Sequence, residues 1–280
     1  MKLRVMVLTV VFVCTMLLSA VSAEEITGDV MSAAIDGSLY INLFDVRSEE
    51  EYGKGAIPGA SSIPLEELEN TIRGILDQGY SAMDADVYLY GETAEESAEA
   101  ARIMTGLGFT NVRYLPGIAA WTGKLESPDQ VMGNMDTVDI YGNAVDKSLI
   151  AGQELVMVNV WATYCNPCIS EMQGLGELSR ELKDQGIMIL GLLSDCSNQD
   201  LSANEAQTQL AREIVEATKA DYPHILPNRT IYRNVLTQVQ AVPTTFFVDG
   251  DGNMVGKVFL GSRDAGDWRE IIMNTLRQQQ

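Results

Sequence analysis

Trp161-Ala162-Thr163-Tyr164-Cys165-Asn166-Pro167-Cys168 joins an apolar run to a stretch with helical spacing. The apolar run, Glu154 to Trp161, predicts a buried strand, and Asn166 to Lys183 predicts a helix. Two cysteines separated by two residues can close a small disulfide ring at the start of that helix. Backbone N–H groups and the helix dipole stabilise a thiolate at Cys165. The thiolate attacks in disulfide exchange, and Cys168, about one turn further in, can resolve the mixed disulfide.

Two plainer interpretations of the cysteine pair are a structural disulfide and half of a zinc site. A disulfide across so short a loop contributes little stability. A four-cysteine zinc site needs a second pair, and after the N-terminal apolar segment only Cys196 remains. The single histidine, His224, argues against a mixed cysteine–histidine site. The sequence therefore favours redox chemistry without a metal or other cofactor, carried by the cysteine pair itself.

The chain after the motif alternates strand-like and helix-like segments. Ile187 to Leu193 is almost uninterrupted apolar sequence, typical of a strand in a sheet buried on both faces. Thr244 to Val248 and Met254 to Leu260 flank a turn of aspartate, glycine and asparagine, which predicts a hairpin. Helices are predicted over Ala203 to Thr218 and Asp264 to Leu276. This half of the chain is therefore expected to be an α/β domain.

Residues 137–280 resemble a thioredoxin-like domain of the TlpA/ResA type. The resemblance rests on the cysteine motif, on Val242-Pro243-Thr244-Thr245-Phe246-Phe247 and on the hairpin that follows. It implies a thioredoxin fold with a central helical insertion, and a cis proline at Pro243 beside the disulfide. The proline would expose the backbone of Val242 for pairing with an extended substrate segment. Trp161, Val242 and Pro243 are accordingly the predicted substrate-binding residues; a proline that merely opens an edge strand is the alternative.

The resemblance also implies a buried acid–base group at Glu171, which moves protons to or from the thiols. Glu171 lies three residues after Cys168, on roughly the same side of the helix, and burial would raise its pKa. An exposed helix glutamate is the alternative. Asn159 stands where ordinary thioredoxins carry a buried aspartate, so Glu171 is the better acid–base candidate. Cys196 is either a third redox thiol or, as we favour, a buried small apolar residue.

The first half of the chain has its own alternation of strands and helices. Strands are predicted over Leu39 to Phe44, Asp86 to Tyr90 and Asn111 to Leu115, and helices over Pro64 to Gln78 and Ala94 to Leu107. Strands that alternate with helices imply βα units and a parallel sheet.

Residues 24–127 resemble a rhodanese-like domain. The motifs that carry the resemblance are Asp45-Val46-Arg47-Ser48-Glu49-Glu50-Glu51-Tyr52, Gly55-Ala56-Ile57-Pro58-Gly59-Ala60, Gly108-Phe109-Thr110-Asn111-Val112 and Gly117-Ile118-Ala119-Ala120-Trp121-Thr122-Gly123. Rhodaneses place a cysteine after the strand that here ends at Tyr90, where this chain has Gly91. Glu96 stands where an arginine is usual, and the glutamates of this loop would repel thiosulfate. We therefore expect no sulfurtransferase activity and interpret the domain as a docking module. Its acidic loop either contacts a basic partner or is only a solvated face.

The N-terminus predicts export from the cytoplasm. Lys2 and Arg4 precede an apolar run from Val5 to Leu18, and small residues lead to Ala23. This pattern indicates a secretory signal cut after Ala23, although the segment is also long enough to be an uncleaved membrane anchor. The protein is then extracytoplasmic: periplasmic, secreted or tethered to the outer face of the cytoplasmic membrane.

The net charge of the chain excludes some classes of binding partner. The chain contains 19 basic and 39 acidic residues, a formal net charge of −20, which argues against nucleic acid and against an anionic membrane surface. The predicted organisation is a signal or anchor (1–23), an inactive rhodanese-like domain (24–127), a linker (128–136) and a thioredoxin-like domain (137–280).

This organisation predicts a thiol–disulfide oxidoreductase that reduces disulfide-containing proteins, for example in cytochrome c maturation or thiol repair. An electron donor in the membrane is expected. The alternatives are a thiol oxidant, and a redox-switched binding or scaffold protein that uses the rhodanese-like face.

Overall fold

A computed structural model describes residues 22–39, 41–80 and 82–279. The predicted signal or anchor lies outside these residues, except for its last two positions. In the described part of the chain, no helix has both the length and the apolar character needed to cross a bilayer.

The first domain is an α/β domain built on a parallel β-sheet. Its elements are β1 (Glu24–Glu25), α1 (Gly28–Gly37), β2 (Asn42–Asp45), α2 (Glu49–Lys54), β3 (Ser61–Ser62), α3 (Leu65–Asp77), β4 (Asp86–Tyr90), α4 (Ala94–Gly106) and β5 (Asn111–Tyr114). Over the described residues the strands form a five-stranded sheet in the order β1-β5-β4-β2-β3, with every pair parallel. This confirms the predicted βα architecture.

The central strand of the first sheet, β4, divides the core into two layers. Val87 and Leu89 pack with α3 and α4 on one face. Tyr88 and Tyr90 pack with α1 on the other. The division follows from the two-residue period of a strand, which points successive side chains to opposite faces.

The second domain has a mixed sheet with a buried centre. Its elements are β6 (Thr137–Val138), β7 (Ala144–Val145), β8 (Leu155–Trp161), α5 (Asn166–Leu182), β9 (Ile187–Leu193), α6 (Glu205–Thr218), β10 (His224–Ile225), α7 (Arg229–Asn234), β11 (Thr244–Val248), β12 (Met254–Leu260) and α8 (Ala265–Arg277). Its main sheet runs β10-β9-β8-β11-β12 within the described residues. Strands β8, β9 and β10 are parallel, and β11 is antiparallel to both of its neighbours. The segment between β9 and β11 carries α6, β10 and α7, where the sequence predicted an insertion.

The predicted linker, residues 128–136, packs on the second domain. Val131, Met132 and Met135 are buried against the face of the sheet that α7 covers. The Met132 N–H donates to the Gly252 carbonyl over 3.0 Å, close to the β11–β12 turn. The segment is therefore held by the second domain over much of its length.

One arginine connects the two domains directly. The guanidinium of Arg233, on α7, donates to the backbone carbonyls of Ile35, Ser38 and Leu39 at the end of α1. Helix α1 has no basic residue in its last turn, so Arg233 supplies from the other domain the cation that a helix C-terminus favours. The Arg233 side chain also packs against Gly59. A Cβ added at Gly59 would lie 3.3 Å from the Arg233 Cδ.

Candidate functional site

The two cysteines of the motif form a disulfide at the start of α5. The Cα atoms of Cys165 and Cys168 lie 5.3 Å apart. Cys165 is the N-cap of the helix, and its Sγ accepts the backbone N–H of Cys168 over 3.2 Å. Pro167 occupies the first turn, where its missing N–H breaks no helical hydrogen bond. The outer sulfur therefore lies where a helix terminus stabilises negative charge.

Exposure distinguishes the two sulfurs. Cys165 is 5% exposed and Cys168 is fully buried. The side chains beside Cys165 are open to solvent: Tyr164 is 73% exposed, and Asn166 and Pro167 are also exposed. A partner thiol or disulfide that approaches this surface meets Cys165 first, while Cys168 remains behind it.

The structure buries Glu171, which is 5% exposed, in the first half of α5. Its Oε2 accepts the Trp268 indole N–H over 2.9 Å and the Arg263 backbone N–H over 3.0 Å. Its Oε1 accepts an amide N–H of Asn159 over 2.9 Å. Burial raises the pKa of Glu171 above its ordinary value, and the three donors oppose that rise only in part.

Asn159 links Glu171 to the strand that follows the cis proline. Its amide also donates to the Thr245 hydroxyl over 3.0 Å. Its Oδ1 is buried and has no hydrogen-bond partner among the described residues. Buried polar atoms are usually paired, and an amide cannot carry a proton, so Glu171 is the titratable group of this network.

The peptide bond between Val242 and Pro243 is cis. Thr244 pairs with Val160 in the antiparallel β8–β11 ladder, so the residues before β11 lie at the end of the sheet where β8 leads to the cysteines. Val242 is half-buried and packs against the apolar cluster that contains Cys165. The structure thus brings Val242 and Pro243 to the same end of the domain as the disulfide.

Trp161, predicted to bind substrate, is fully buried at the end of β8. Its indole N–H donates to His224 Nδ1 over 3.2 Å, and His224 Nε2 lies 2.9 Å from the Ala220 carbonyl. Burial lowers the pKa of His224 to about 4, so the imidazole is neutral and donates through Nε2. The Trp161 side chain therefore lies in the core next to the cysteine motif. It offers no surface to a substrate in this structure.

Cys196 is a free cysteine and is buried. Burial, with the nearby Asp195 carboxylate as a smaller cause, raises the pKa of its thiol above the ordinary value. A protonated, enclosed thiol is a poor nucleophile, which agrees with the interpretation of Cys196 as a small apolar residue.

The degenerate rhodanese loop is filled by its own carboxylate. Glu96 Oε2 accepts the Glu92 backbone N–H over 2.8 Å. The Ser97 hydroxyl accepts the Gly91 and Gly117 N–H groups over 2.8 and 3.1 Å. A Cβ added at Gly91 would lie 2.7 Å from the Glu96 Cβ. The loop therefore has neither a nucleophile nor free space at the position where rhodaneses carry cysteine.

The sequence did not predict two of the hydrogen-bond donors to Glu171, which are Arg263 and Trp268. Arg263 and Trp268 lie 92 and 97 positions away along the chain, and only the fold brings them together. No local spacing could have predicted these contacts. Across the part of the chain that the structure describes, no three histidine, cysteine, aspartate or glutamate side chains are grouped so as to hold a metal ion.

Comparison with known proteins matches each domain separately. The rhodanese-like domain family matches residues 27–124, and the AhpC/TSA family matches residues 128–257. Both matches confirm the two resemblances seen in the sequence.

Among curated proteins, the chain is 34% identical over 109 residues to "Putative sulfur carrier protein YrkF" of Bacillus subtilis, covering 39% of this chain and 56% of that protein. It is 27% identical over 126 residues to the thiol-disulfide oxidoreductase ResA of Bacillus cereus, covering 45% of this chain and 65% of that protein. The chain thus spans less than two thirds of either relative. It is 34% identical over 83 residues to human thiosulfate:glutathione sulfurtransferase, covering 27% of this chain and 72% of that protein.

Among solved structures, a thiol:disulfide interchange protein of the thioredoxin family from Chlorobium tepidum matches with a TM-score of 0.43 and 21% identity. The match covers 51% of this chain and 94% of that one.

Proposed function

The chain belongs to the rhodanese-like family through its first domain and to the thioredoxin-like AhpC/TSA family through its second, and we propose that it is an extracytoplasmic thiol–disulfide oxidoreductase. Its substrates are disulfide-containing proteins, which it reduces through Cys165-Asn166-Pro167-Cys168. The observation that carries this proposal is the disulfide at a helix N-terminus, with Cys165 as the outer sulfur and Cys168 behind it.

The reaction begins from the reduced pair. The Cys165 thiolate attacks one sulfur of the partner disulfide, forms a mixed disulfide and releases the other sulfur as a thiolate, which takes a proton. Cys168 loses its proton and attacks the Cys165 sulfur, which frees the second partner thiol. Two electrons pass to the partner, and the Cys165–Cys168 disulfide remains. A donor must then reduce this pair, and we expect that donor in the membrane.

Glu171 is the proton carrier that we propose for the second step. Its carboxyl is buried on the helix that carries the cysteines, three residues after Cys168, and burial raises its pKa above the ordinary value. The N–H donors from Asn159, Arg263 and Trp268 fix the position of both oxygens. We propose that this carboxyl accepts the proton that Cys168 loses.

The substrate surface consists, we propose, of the half-buried Val242 and the exposed side chains beside Cys165, with the buried Pro243 next to Val242. The half-buried Val242 precedes a cis proline at the end of the sheet where the motif lies. A backbone segment at this place can pair with an extended stretch of a partner protein. Trp161 contributes indirectly by supporting the loop.

The first domain has a docking role in this proposal and catalyses no sulfur transfer. Gly91 provides no nucleophile, and the Glu96 carboxylate occupies the loop. A cavity of about 530 Å³ beside that loop is lined by four glutamates and one arginine: Glu51, Glu66, Glu92, Glu96 and Arg47. Carboxylates in such number favour a basic partner and oppose thiosulfate.

Catalytic turnover tests the proposal. We expect the protein to accelerate the reduction of insulin by dithiothreitol, and the Cys168→Ser variant to capture partner proteins from the native host as mixed disulfides on Cys165. The Cys165→Ser/Cys168→Ser double variant is the control and should capture none. Insulin reduction no faster than without protein would reject the enzyme and favour a redox-switched binding protein.

The direction of electron flow is tested by the reduction potential against glutathione. A reductase needs a potential well below that of strong oxidants, which lies at about −120 mV. A measured value near that of the strong oxidants would reject reduction and favour a thiol oxidant. Partners captured in the trapping experiment would then show whether cytochrome c maturation or thiol repair is the process served.

A further inference from the structure

A cleft of about 640 Å³ lies between the two domains. One wall comes from the end of α1 and from residues that include Trp121 and Lys124 of the first domain. The other wall comes from the segment 133–136 and from the start of α7. None of the cleft residues belongs to the disulfide site. Clefts of this size at domain boundaries are frequent places for small-molecule ligands.

Lys124 is unusual among the cations of the first domain. Residues 24–127 contain six lysines and arginines. Five of them contact carboxylates: Arg47 with Asp45, Lys54 with Glu51, Arg73 with Glu69, Arg102 with Glu99 and Arg113 with Asp86. Lys124 makes no ion pair with any carboxylate in the described residues, although its charge acts on Glu126, which lines the same cleft.

The opposite wall presents two further cations. Arg229 makes no ion pair or side-chain hydrogen bond within the described ranges, and it lies one helical turn from Arg233. The guanidinium of Arg233 is engaged by neutral backbone carbonyls, so no carboxylate is bonded to it. In a chain with a net charge of −20, a gathering of such cations on one concave surface favours an anion.

The charge balance of the cleft limits the anion to a small charge. Asp36, Glu126 and Asp136 also line it, and Lys147, a fourth lining cation, lies 3.7 Å from Asp251. Lys147 is thus paired with a carboxylate that does not line the cleft, and the other three cations face three carboxyls, so the lining carries little net charge. A single carboxylate suits this balance, whereas a polyphosphate would be repelled by the acidic residues of the rim.

Apolar surface lies beside the cations. Ile35, Pro58 and Trp121 line the same cleft. The Trp121 indole N–H donates to the Lys124 carbonyl over 3.3 Å, which holds the ring next to Lys124. A Cβ at Gly123 would lie 2.5 Å from that ring, so glycine is required beneath it.

From these walls we propose that the cleft between the domains binds a small organic acid with one carboxylate and an apolar or aromatic portion. The carboxylate lies between Lys124 and Arg229, and the apolar portion contacts Trp121. Because the ligand would contact both walls, it would also strengthen the association of the two domains.

Calorimetric titration of the protein with three probes tests this site. Benzoate carries both the charge and the ring, acetate the charge alone and benzamide the ring alone. We expect benzoate to bind at least about tenfold more tightly than either fragment, since each lost contact costs on the order of 1.4 kcal/mol. No binding of benzoate at millimolar concentration, or equal affinities for benzoate and acetate, would overturn the proposal.

Variants locate the site. Lys124→Gln and Arg229→Gln should each weaken benzoate by about tenfold, because each removes a charged contact. Lys257→Gln removes an exposed cation from β12 and should leave the affinity unchanged. An equal loss in all three variants would show only general charge attraction. Trp121 gives a second readout: the other two tryptophans are fully buried, so benzoate should protect tryptophan fluorescence from iodide quenching, and unchanged quenching would contradict the site.

Discussion

Two helices of this protein begin at equivalent places in their sheets, and we propose a catalytic role for only one of them. Helix α4 follows β4, the middle strand of the first sheet, and α5 follows β8, the middle strand of the second. Each helix has a side chain that accepts a hydrogen bond at its N-cap: Thr93 Oγ1 from the Glu96 N–H, and Cys165 Sγ from the Cys168 N–H. The backbone arrangement alone therefore does not determine function.

The group placed at each helix start makes the difference. At α5 the capping atom is a sulfur, and solvent reaches the residues beside it. At α4 a glutamate carboxylate turns back onto the preceding loop and takes the Glu92 N–H. Both places favour negative charge. In the proposed mechanism that charge develops on the Cys165 thiolate in the second domain, whereas in the first domain it is fixed on the Glu96 carboxylate.

Of the changes predicted here, removal of the Cys165 sulfur should have the largest effect on activity. We expect Cys165→Ser to lower the rate of insulin reduction by at least about 10³-fold, because the attacking atom is lost and no other group replaces it. Cys196→Ser is the matched control and should keep nearly full activity, since Cys196 is enclosed and lies outside the disulfide. Substantial activity in Cys165→Ser would assign the chemistry to another group.

Glu171→Gln should have the next largest effect, a fall of roughly 10- to 100-fold in insulin reduction near neutral pH. Gln keeps the shape of the side chain and removes its proton exchange. The rate of the wild type should depend on pH through the Glu171 titration, and that dependence should disappear in the variant. An unchanged pH–rate profile would limit Glu171 to a structural role.

The same variant gives an independent check on stability. Burial raises the pKa of Glu171 in the folded state, so its contribution to stability is fully present below the ordinary value of 4.5. That contribution is lost as the pH rises through the raised value. The free energy of unfolding of Glu171→Gln, relative to the wild type, should therefore increase between about pH 4 and about pH 8. Urea denaturation of the oxidised proteins measures it, and a constant difference would contradict the raised pKa.

Sequence patterns predicted those elements whose signal is local. The apolar runs of β4, β9 and β11 predicted the observed bounds, because a buried strand carries its pattern in consecutive residues. The bounds of β12, an edge strand without buried residues, were predicted from the turn that precedes it. Helix α1 was not predicted; its short sequence holds glycine, alanine and serine, which give a weak helical signal. Contacts between residues far apart in the chain could not be predicted either. Arg233, for example, is 198 residues from Ile35, the α1 residue whose carbonyl it binds.

In the candidate functional site, too, the sequence predicted only the features that a local motif carries. The spacing of the two cysteines predicted a redox pair, and the family resemblance implied a buried acid–base group at Glu171, which the structure buries. The substrate role predicted for Trp161 required knowledge of exposure, and the structure buries this side chain against His224. Exposure is a property of the packed domain, so a motif alone cannot supply it.

A cysteine placed in the first domain should not restore rhodanese chemistry. Gly91→Cys would bring a Cβ to 2.7 Å from the Glu96 Cβ, and we expect a loss of about 1–3 kcal/mol in the free energy of unfolding. Thiocyanate formation from thiosulfate and cyanide should stay at background. The double variant Gly91→Cys/Glu96→Ala keeps the Cβ that carries the clash. Similar destabilisation in both variants would show that the Cβ of residue 96, and not its carboxylate, resists the change.

Loss of the hydroxyl cap of α4 should give the smallest effect. Thr93→Ala removes the acceptor for the Glu96 N–H, and we expect the free energy of unfolding to fall by about 1 kcal/mol. Thr71→Ala makes the same chemical change at an exposed position inside α3 and should alter stability by only a few tenths of a kcal/mol. Urea denaturation of the two variants under one set of conditions measures the difference.

The size of the Thr93 effect reports how much of the α4 start is held by the cap alone. The Glu92 N–H is taken by Glu96 and the Gly91 N–H by Ser97, so these bonds remain when the hydroxyl is removed. A loss well above about 2 kcal/mol would exceed what one cap provides, and would mean that Thr93 positions the glutamate as well. The carboxylate that closes the loop would then depend on the cap, as the Cys165 sulfur depends on the start of α5 in the other domain.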